Sequence, residues 1–261
     1  MAVSFADGSV YVADTTNHRI QKFTSAGVLE SIWGGTKGTG NGEFDLPWGI
    51  AVTPDGLNVY VSEIGNDRIQ QFDADGGFVR KWGSKGTGNG KFKDPKGIAV
   101  SSLDGSVYVA DTTNDRIQKF TAAGVFLSKW GTFGTGNGQF ENPRVAVSGF
   151  DDSVYVADTG NNRIQKFTSA GVFVSKWGTS STGNNPKGIA VSSLDGTVYV
   201  SDQNTDSIKK FTSDGVFIIE WGTFGNGNGQ FRNPEGIAVS SLDGSVYVTE
   251  TGNNDRIQKF S

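Results

Sequence analysis

Six acidic residues recur along the chain at nearly even intervals: Asp14, Glu63, Asp111, Asp158, Asp202 and Glu250. An Arg follows five residues later in four copies (Arg19, Arg68, Arg116, Arg163) and six residues later in the last (Arg256). A ring of carboxylates with free lone pairs would hold a cation. A carboxylate that meets its own guanidinium across a short turn is half of a charge-assisted hydrogen bond and is no longer free to act as a ligand. The recurring Arg favours the second chemistry for Asp14–Arg19, Glu63–Arg68, Asp111–Arg116, Asp158–Arg163 and Glu250–Arg256. In the fifth copy Ser207 stands in the Arg position, so Asp202 is expected to be spare, and it is the acid to test for ligand or metal contact.

Other chemistries lack their residues. There is no Cys and a single His, His18, so neither a multi-histidine metal centre nor a thiolate site is expected. A Ser-His-Asp triad would need His18 buried beside a nucleophile. It occupies the position of Asp67, Asp115, Asn162, Asp206 and Asp255 in the other copies, and reads as an exposed turn residue. Paired acids for glycoside hydrolysis are present by type, but they are repeated and mostly Arg-matched. Gly-rich segments such as Gly38-Thr39-Gly40-Asn41-Gly42 fail as phosphate cradles because no helix follows them; they read as turns with positive φ. The spaced acids of a calcium loop are missing. Trp33, Trp82, Trp130, Trp177 and Trp221 each end the same segment of a copy, which suits packing between neighbours better than ligand stacking. Trp48 is different: it replaces Lys96, Lys187 and Glu235 of other copies, beside the Gly that opens a strand. Trp48, Lys96, Lys187, Glu235 and Asp202 are the candidate binding residues, an unpaired Trp being a hot-spot type. No catalytic, metal or cofactor-binding residue is assigned, and no cofactor is expected.

The elements that must position these side chains follow from a repeat. Val-Tyr-Val occurs six times, centred on Tyr11, Tyr60, Tyr108, Tyr155, Tyr199 and Tyr247, at intervals of 49, 48, 47, 44 and 48 residues. In the third copy Gly97–Val100 reads as strand a, Ser102–Gly105 as a hairpin turn whose Asp-Gly supplies positive φ, and Val107–Asp111 as strand b. Thr112–Asp115 turns the chain, Arg116–Phe120 is strand c, Ala122–Gly124 turns it again, and Val125–Trp130 is strand d. No stretch carries a helical period. Each copy is then an antiparallel meander with two apolar faces, and only radial stacking buries both. The expectation is an all-β, six-bladed β-propeller in a single domain, 1–261, with four-stranded antiparallel blades at about 2–47, 48–95, 96–143, 144–186, 187–234 and 235–261. The last copy stops after strand c. The sixth blade should therefore lack its outermost strand and leave Arg256–Phe260 as an open edge, to which a parent segment or a neighbouring molecule adds a strand. Strand a should line a channel. The long d–a connections (34–47, 83–95, 131–143, 178–186, 222–234) should share one face with the b–c hairpins, and long loops on a rigid scaffold are where function concentrates.

The segment Gly136–Pro143 (GNGQFENP), followed by the GIAV, VYVAD, Asn-x-Arg and IQKF pattern of the copies, with Asn17-His18 in the first, resembles the NHL repeat over essentially the whole chain. The resemblance implies a six-bladed propeller. It implies little about activity, because the family spans RNA-binding, protein-binding, sensor and lyase members. The amidating lyases of that family use a multi-histidine zinc site, which one His cannot build. Net charge is −4, which disfavours nucleic acid although Lys37, Lys85, Lys91, Lys93 and Lys96 cluster on blades one to three. No apolar run approaches ~20 residues and no signal peptide precedes the repeats, so the chain reads as soluble, with its compartment open. The expected role is a non-catalytic scaffold that binds protein or peptide through the d–a loops and b–c hairpins. The alternatives are a metal-assisted lyase or hydrolase on the same face, and an RNA-binding domain.

Overall fold

The computed structural model describes residues 1–178, 185–251 and 255–261. They form two compact units, Met1–Phe133 and Gly134–Ser261, of three sheets each. The first unit holds β1 (Ala2–Val3), β2 (Val10–Asp14), β3 (Arg19–Phe23) and β4 (Leu29–Gly34); β5 (Pro47–Val52), β6 (Asn58–Glu63), β7 (Arg68–Asp73) and β8 (Phe78–Trp82); and β9 (Pro95–Val100), β10 (Val107–Asp111), β11 (Arg116–Phe120) and β12 (Phe126–Trp130). The second holds β13 (Pro143–Val147), β14 (Val154–Asp158), β15 (Arg163–Phe167) and β16 (Phe173–Gly178); β17 (Pro186–Val191), β18 (Val198–Asp202), β19 (Ser207–Phe211) and β20 (Phe217–Trp221); and β21 (Pro234–Val239), β22 (Val246–Glu250) and β23 (Ile257–Phe260). Each sheet is an antiparallel meander in chain order, four-stranded in five blades and three-stranded in the last: an all-β, six-bladed propeller. Among the described residues no helix is long and apolar enough to cross a membrane.

Both faces of each inner sheet are buried, so the b strands read as unbroken apolar runs rather than alternating ones. Val107, Tyr108, Val109 and Ala110 are all fully buried, Ile98 and Val107 packing with Tyr60 and Ile69 of the preceding blade. The Trp that ends a d strand leans onto the next blade. Trp33 lies 5.8 Å from Phe72, Trp82 6.0 Å from Phe120, and Trp177 6.1 Å from Phe211, ring centre to ring centre. Each also covers a glycine of the next c–d turn: a Cβ on Gly76 would come within 2.4 Å of Trp33, and one on Gly215 within 2.4 Å of Trp177.

Both hairpin turns fall where expected and gain detail, and one strand start differs. The a–b turn is a four-residue loop closed by Ser101 N–H to Ser106 O, with Gly105 alone left-handed; Asp104 instead accepts the Ser106 N–H. The b–c turn is a 3-10 turn (Thr112–Asn114) ending in left-handed Asp115. The last strand starts at Ile257 rather than at the Arg, in the copy whose b–c turn is one residue longer; Arg256 still donates to Glu250. Residues 179–184 of the short connection 178–186, and 252–254 of the last b–c turn, lie outside the described residues.

Candidate binding site

The acids at the ends of the b strands are densely hydrogen-bonded. Asp111 is fully buried. It accepts from Arg116 Nε (2.6 Å), Gln118 Nε2 (3.1 Å), Asn114 Nδ2 (2.9 Å) and the Lys93 N–H (2.7 Å). Asp158 repeats this set with Arg163, Gln165, Asn161 and the Glu141 N–H. Glu63 does so with Arg68, Gln70, Asn66 and the Asp45 N–H. Asp14 takes Arg19 at 2.6 Å and Glu250 takes Arg256 at 2.7 Å. Among the described residues no group of three or more His, Cys, Asp or Glu is placed to hold a metal.

The rest of each guanidinium explains the glycine-rich loops. Arg116 donates to the carbonyls of Thr87 (2.6 Å), Gly88 (2.8 Å) and Lys91 (2.9 Å) in the preceding d–a connection. Arg163 grips Thr135, Gly136 and Gln139 in the same way, and Arg256 grips Asn226, Gly227 and Gln230. These loops turn carbonyls inward around a cation, which is the opposite polarity to a phosphate cradle. The Phe that closes each such loop (Phe44, Phe92, Phe140, Phe231) is fully buried. It sits against the glycine after the Trp where a Cβ would clash: 2.5 Å at Gly34, 2.6 Å at Gly83 and 2.5 Å at Gly222.

Two sequence expectations are overturned. Asp202 is not spare. Lys209 replaces the Gln of the other copies and places Nζ 2.8 Å from the buried carboxylate, while Asn185 and Asn204 donate their N–H groups to it. Opposite Lys209, Glu220 fills a position that is Lys in three other copies and binds the Ser207 hydroxyl at 2.5 Å. The fifth blade therefore keeps the buried charge pair with its cation moved from the fifth to the seventh residue. His18 is not an exposed tip either. It is half-buried at the left-handed end of its turn, and its Nδ1 accepts the Leu46 N–H at 3.1 Å. Asp67 and Asp206 do the same for the N–H groups of Asp94 and Asn233. Within each unit a d–a loop is thus clamped by the b–c turns of the blades before and after it, and loops and turns share one face.

On that face the strand-a starts carry the remaining candidates. In the first unit the Lys96 ammonium lies 5.2 Å from the centre of the half-buried Trp48 ring, a cation–π contact that gives the Trp a partner. In the second unit Glu235 accepts from Gln203 Nε2 at 2.7 Å and faces Arg144 at 3.8 Å. Lys187 stands half-buried between them in sequence order, and burial draws its ammonium below the ordinary lysine range against the pull of Glu235. Sequence reasoning missed Arg144. Its signal was a one-residue deletion, Pro143-Arg144-Val145, where other copies read Pro-x-Gly-Ile. The tips of the loops add exposed rings, Phe133 (69% exposed) in one unit and Phe224 (63%) in the other, the latter 4.7 Å from the Arg232 guanidinium. The opposite face of the first unit holds a groove of about 370 Å³ lined by Asp55, Tyr60, Gln71 and Arg80 among others.

Four segments, 1–23, 92–120, 144–167 and 231–260, match the family model of the NHL repeat. No curated protein sequence matches the chain. Solved structures share the fold at low identity. A streptogramin B lyase is 19% identical with a TM-score of 0.66, over 97% of this chain and 75% of that one. The catalytically inactive H270A virginiamycin B lyase from Staphylococcus aureus, with quinupristin, is 19% identical with a TM-score of 0.67, over 99% and 79%. A chain of the nidogen/laminin complex is 18% identical with a TM-score of 0.68, over 84% and 77%.

Proposed function

We propose that this six-bladed β-propeller, four segments of which match the NHL repeat, is a non-catalytic scaffold binding a protein or peptide on the face of its d–a loops and b–c hairpins. One observation carries this reading. The acids that end the b strands and the cations paired with them are consumed internally: the acids by Arg or Lys, and the guanidinia of Arg68, Arg116, Arg163 and Arg256 by loop carbonyls. The groups left at its loop tips are rings such as Phe133 and Phe224, the latter on a connection that Arg256 pins through the Asn226 and Gly227 carbonyls. Rings on pre-ordered loops bind with little loss of conformational freedom, the property a recognition surface needs. The metal-assisted lyase or hydrolase alternative draws on the fold shared with two lyases, and its discriminating measurement is turnover of quinupristin, the compound present with one of them. The RNA alternative draws on the lysines of blades one to three, of which Lys37 pairs with Asp45 at 3.4 Å; salt-dependent binding of single-stranded RNA would favour it.

The test is selection of peptides from a random display library on the immobilised chain. Phe133→Ser should weaken peptides captured by the first unit, and Phe224→Ser those captured by the second, by roughly tenfold, the scale of a lost aromatic contact. Leu103→Ser and Leu242→Ser, in exposed a–b turns on the opposite face, should leave them unchanged. Binding that follows the a–b turns instead of the loop tips would refute the assignment.

A further inference from the structure

We propose that the starts of β13, β17 and β21 form a subsite for a peptide carboxylate, held by Arg144 and Lys187 and bordered by Gln203 and Glu235; the proposal rests on the scaffold reading and names the chemistry of its anchor.

The site is built by a change of register. In β17 and β21 the Pro-x-Gly-Ile start carries a bulge, with Pro186 opposite Asp202 but Ile189 opposite Val200. The bulge glycine is needed there, because a Cβ on Gly188 would lie 2.4 Å from the Glu235 carbonyl oxygen. In β13 the glycine is deleted and pairing is regular: Arg144 opposite Ala157, Val145 opposite Val156. Side chains alternate along a strand, so Arg144 takes the side of Ala146, which packs on Ile189 and Val198 of the next blade. Arg144 therefore projects over the fifth blade as far as Glu235 on the sixth.

The charges there do not balance. Arg144 is 8% exposed, and among the described residues its polar contacts are its neighbour's carbonyl, Pro143 O, at 3.3 Å and Glu235 at 3.8 Å, too long for a hydrogen bond. Lys187 makes no hydrogen bond or ion pair among the described residues. Glu235 has already taken the Gln203 amide. Two cations face one acid, an excess of one positive charge in a place largely removed from water, where an unmatched charge is costly. A monoanion with two in-plane oxygens matches the guanidinium fork and the single excess charge, whereas a phosphate dianion would overshoot it beside Glu235. Burial lowers the proton affinity of both Arg144 and Lys187, which a bound anion would restore.

The experiment follows the Gly188 N–H by NMR in the whole chain while N-acetyl-triglycine is titrated as free acid and as amide. A parallel pair compares N-acetyl-Gly-Glu-Gly amide with its Gln analogue. Saturable shifts with an acid and none with its uncharged match are expected. The pair that responds tells a chain-terminal carboxylate from a side-chain one. Arg144→Gln and Lys187→Met should each weaken binding by at least roughly tenfold, as expected for a charge-assisted contact. Glu235→Gln removes the competing acid and should tighten binding several-fold, a gain that misfolding cannot mimic. Equal response to acid and amide, no saturable response, or weaker binding in Glu235→Gln overturns the site. Library peptides that bind wild type and both cation variants alike also overturn it while leaving the scaffold standing. A tripeptide response in a chain that selects no library peptide does the reverse.

Discussion

Asp202 shows how much a single buried charge constrains its neighbours. Its carboxylate is sealed from water, so it needs a cation wherever the fold can place one, and in blade five that cation is Lys209. Lys209→Met should destabilise the chain by about 3–5 kcal/mol, because it strands the acid. Adding Asp202→Asn removes the stranded charge and should recover most of the loss. Denaturant melts of the two variants measure both effects. If the double variant were as unstable as the single one, the carboxylate would not be the source of the cost. In the sequence the missing Arg at the fifth residue makes Asp202 look spare, although the Gln-to-Lys change at the seventh, Lys209, marks its replacement cation. The partner of His18 is not legible locally, because Leu46 N–H comes from a loop 28 residues away.

At the scale of the element, the informative strand is β23. In the complete blades the d strand pairs with c in one register, Ile117 opposite Trp130 and Phe120 opposite Phe126, with Phe126 edge-on to Phe120 at 6.0 Å. In the three-stranded blade Ile257 is exposed and Phe260 half-exposed, and no described strand lies along their outer side. A strand of the type Gly171–Trp177 appended to the chain should seat its Phe opposite Phe260 and its Trp opposite Ile257. The melting temperature should rise by several degrees, at about 2–4 °C per kcal/mol for a domain of this size. Replacing both rings of the added strand by Ala should abolish the rise. A rise that survives the replacement would mean that the edge does not read side chains.

For the molecule as a whole, the repeat multiplies small effects. The a–b turn acids Asp7, Asp55, Asp104, Asp151, Asp195 and Asp243 are all held below the ordinary carboxylate range. For Asp104, Asp151 and Asp195 burial opposes ionisation, but hydrogen bonds from neighbouring Ser or Thr groups outweigh it. At Asp55 and Asp243 those hydrogen bonds are themselves the largest influence. Folded carboxyls more acidic than unfolded ones make the unfolded chain bind protons first as pH falls. Their stabilisation is complete above about pH 5 and drains as pH drops through about 4. Thermal melts should be flat from pH 7 to 5 and fall steeply below 4. The fall should be shallower in a chain whose six acids are replaced by Asn. A replaced chain with the same acid profile would assign the loss to other groups.

The sequence alone determined the six meanders, their strand and turn order and the acid–Arg hairpins. Each of these depends on residues within one copy, so short β-branched and aromatic runs punctuated by Gly and Asp turns are enough to specify it. Tertiary structure decided which cation each glycine-rich loop encloses, what His18 accepts, and that Arg144 reaches Glu235. Those partners lie on different blades, and only blade-on-blade packing, with a one-residue deletion that turns a strand start to its other face, brings them together.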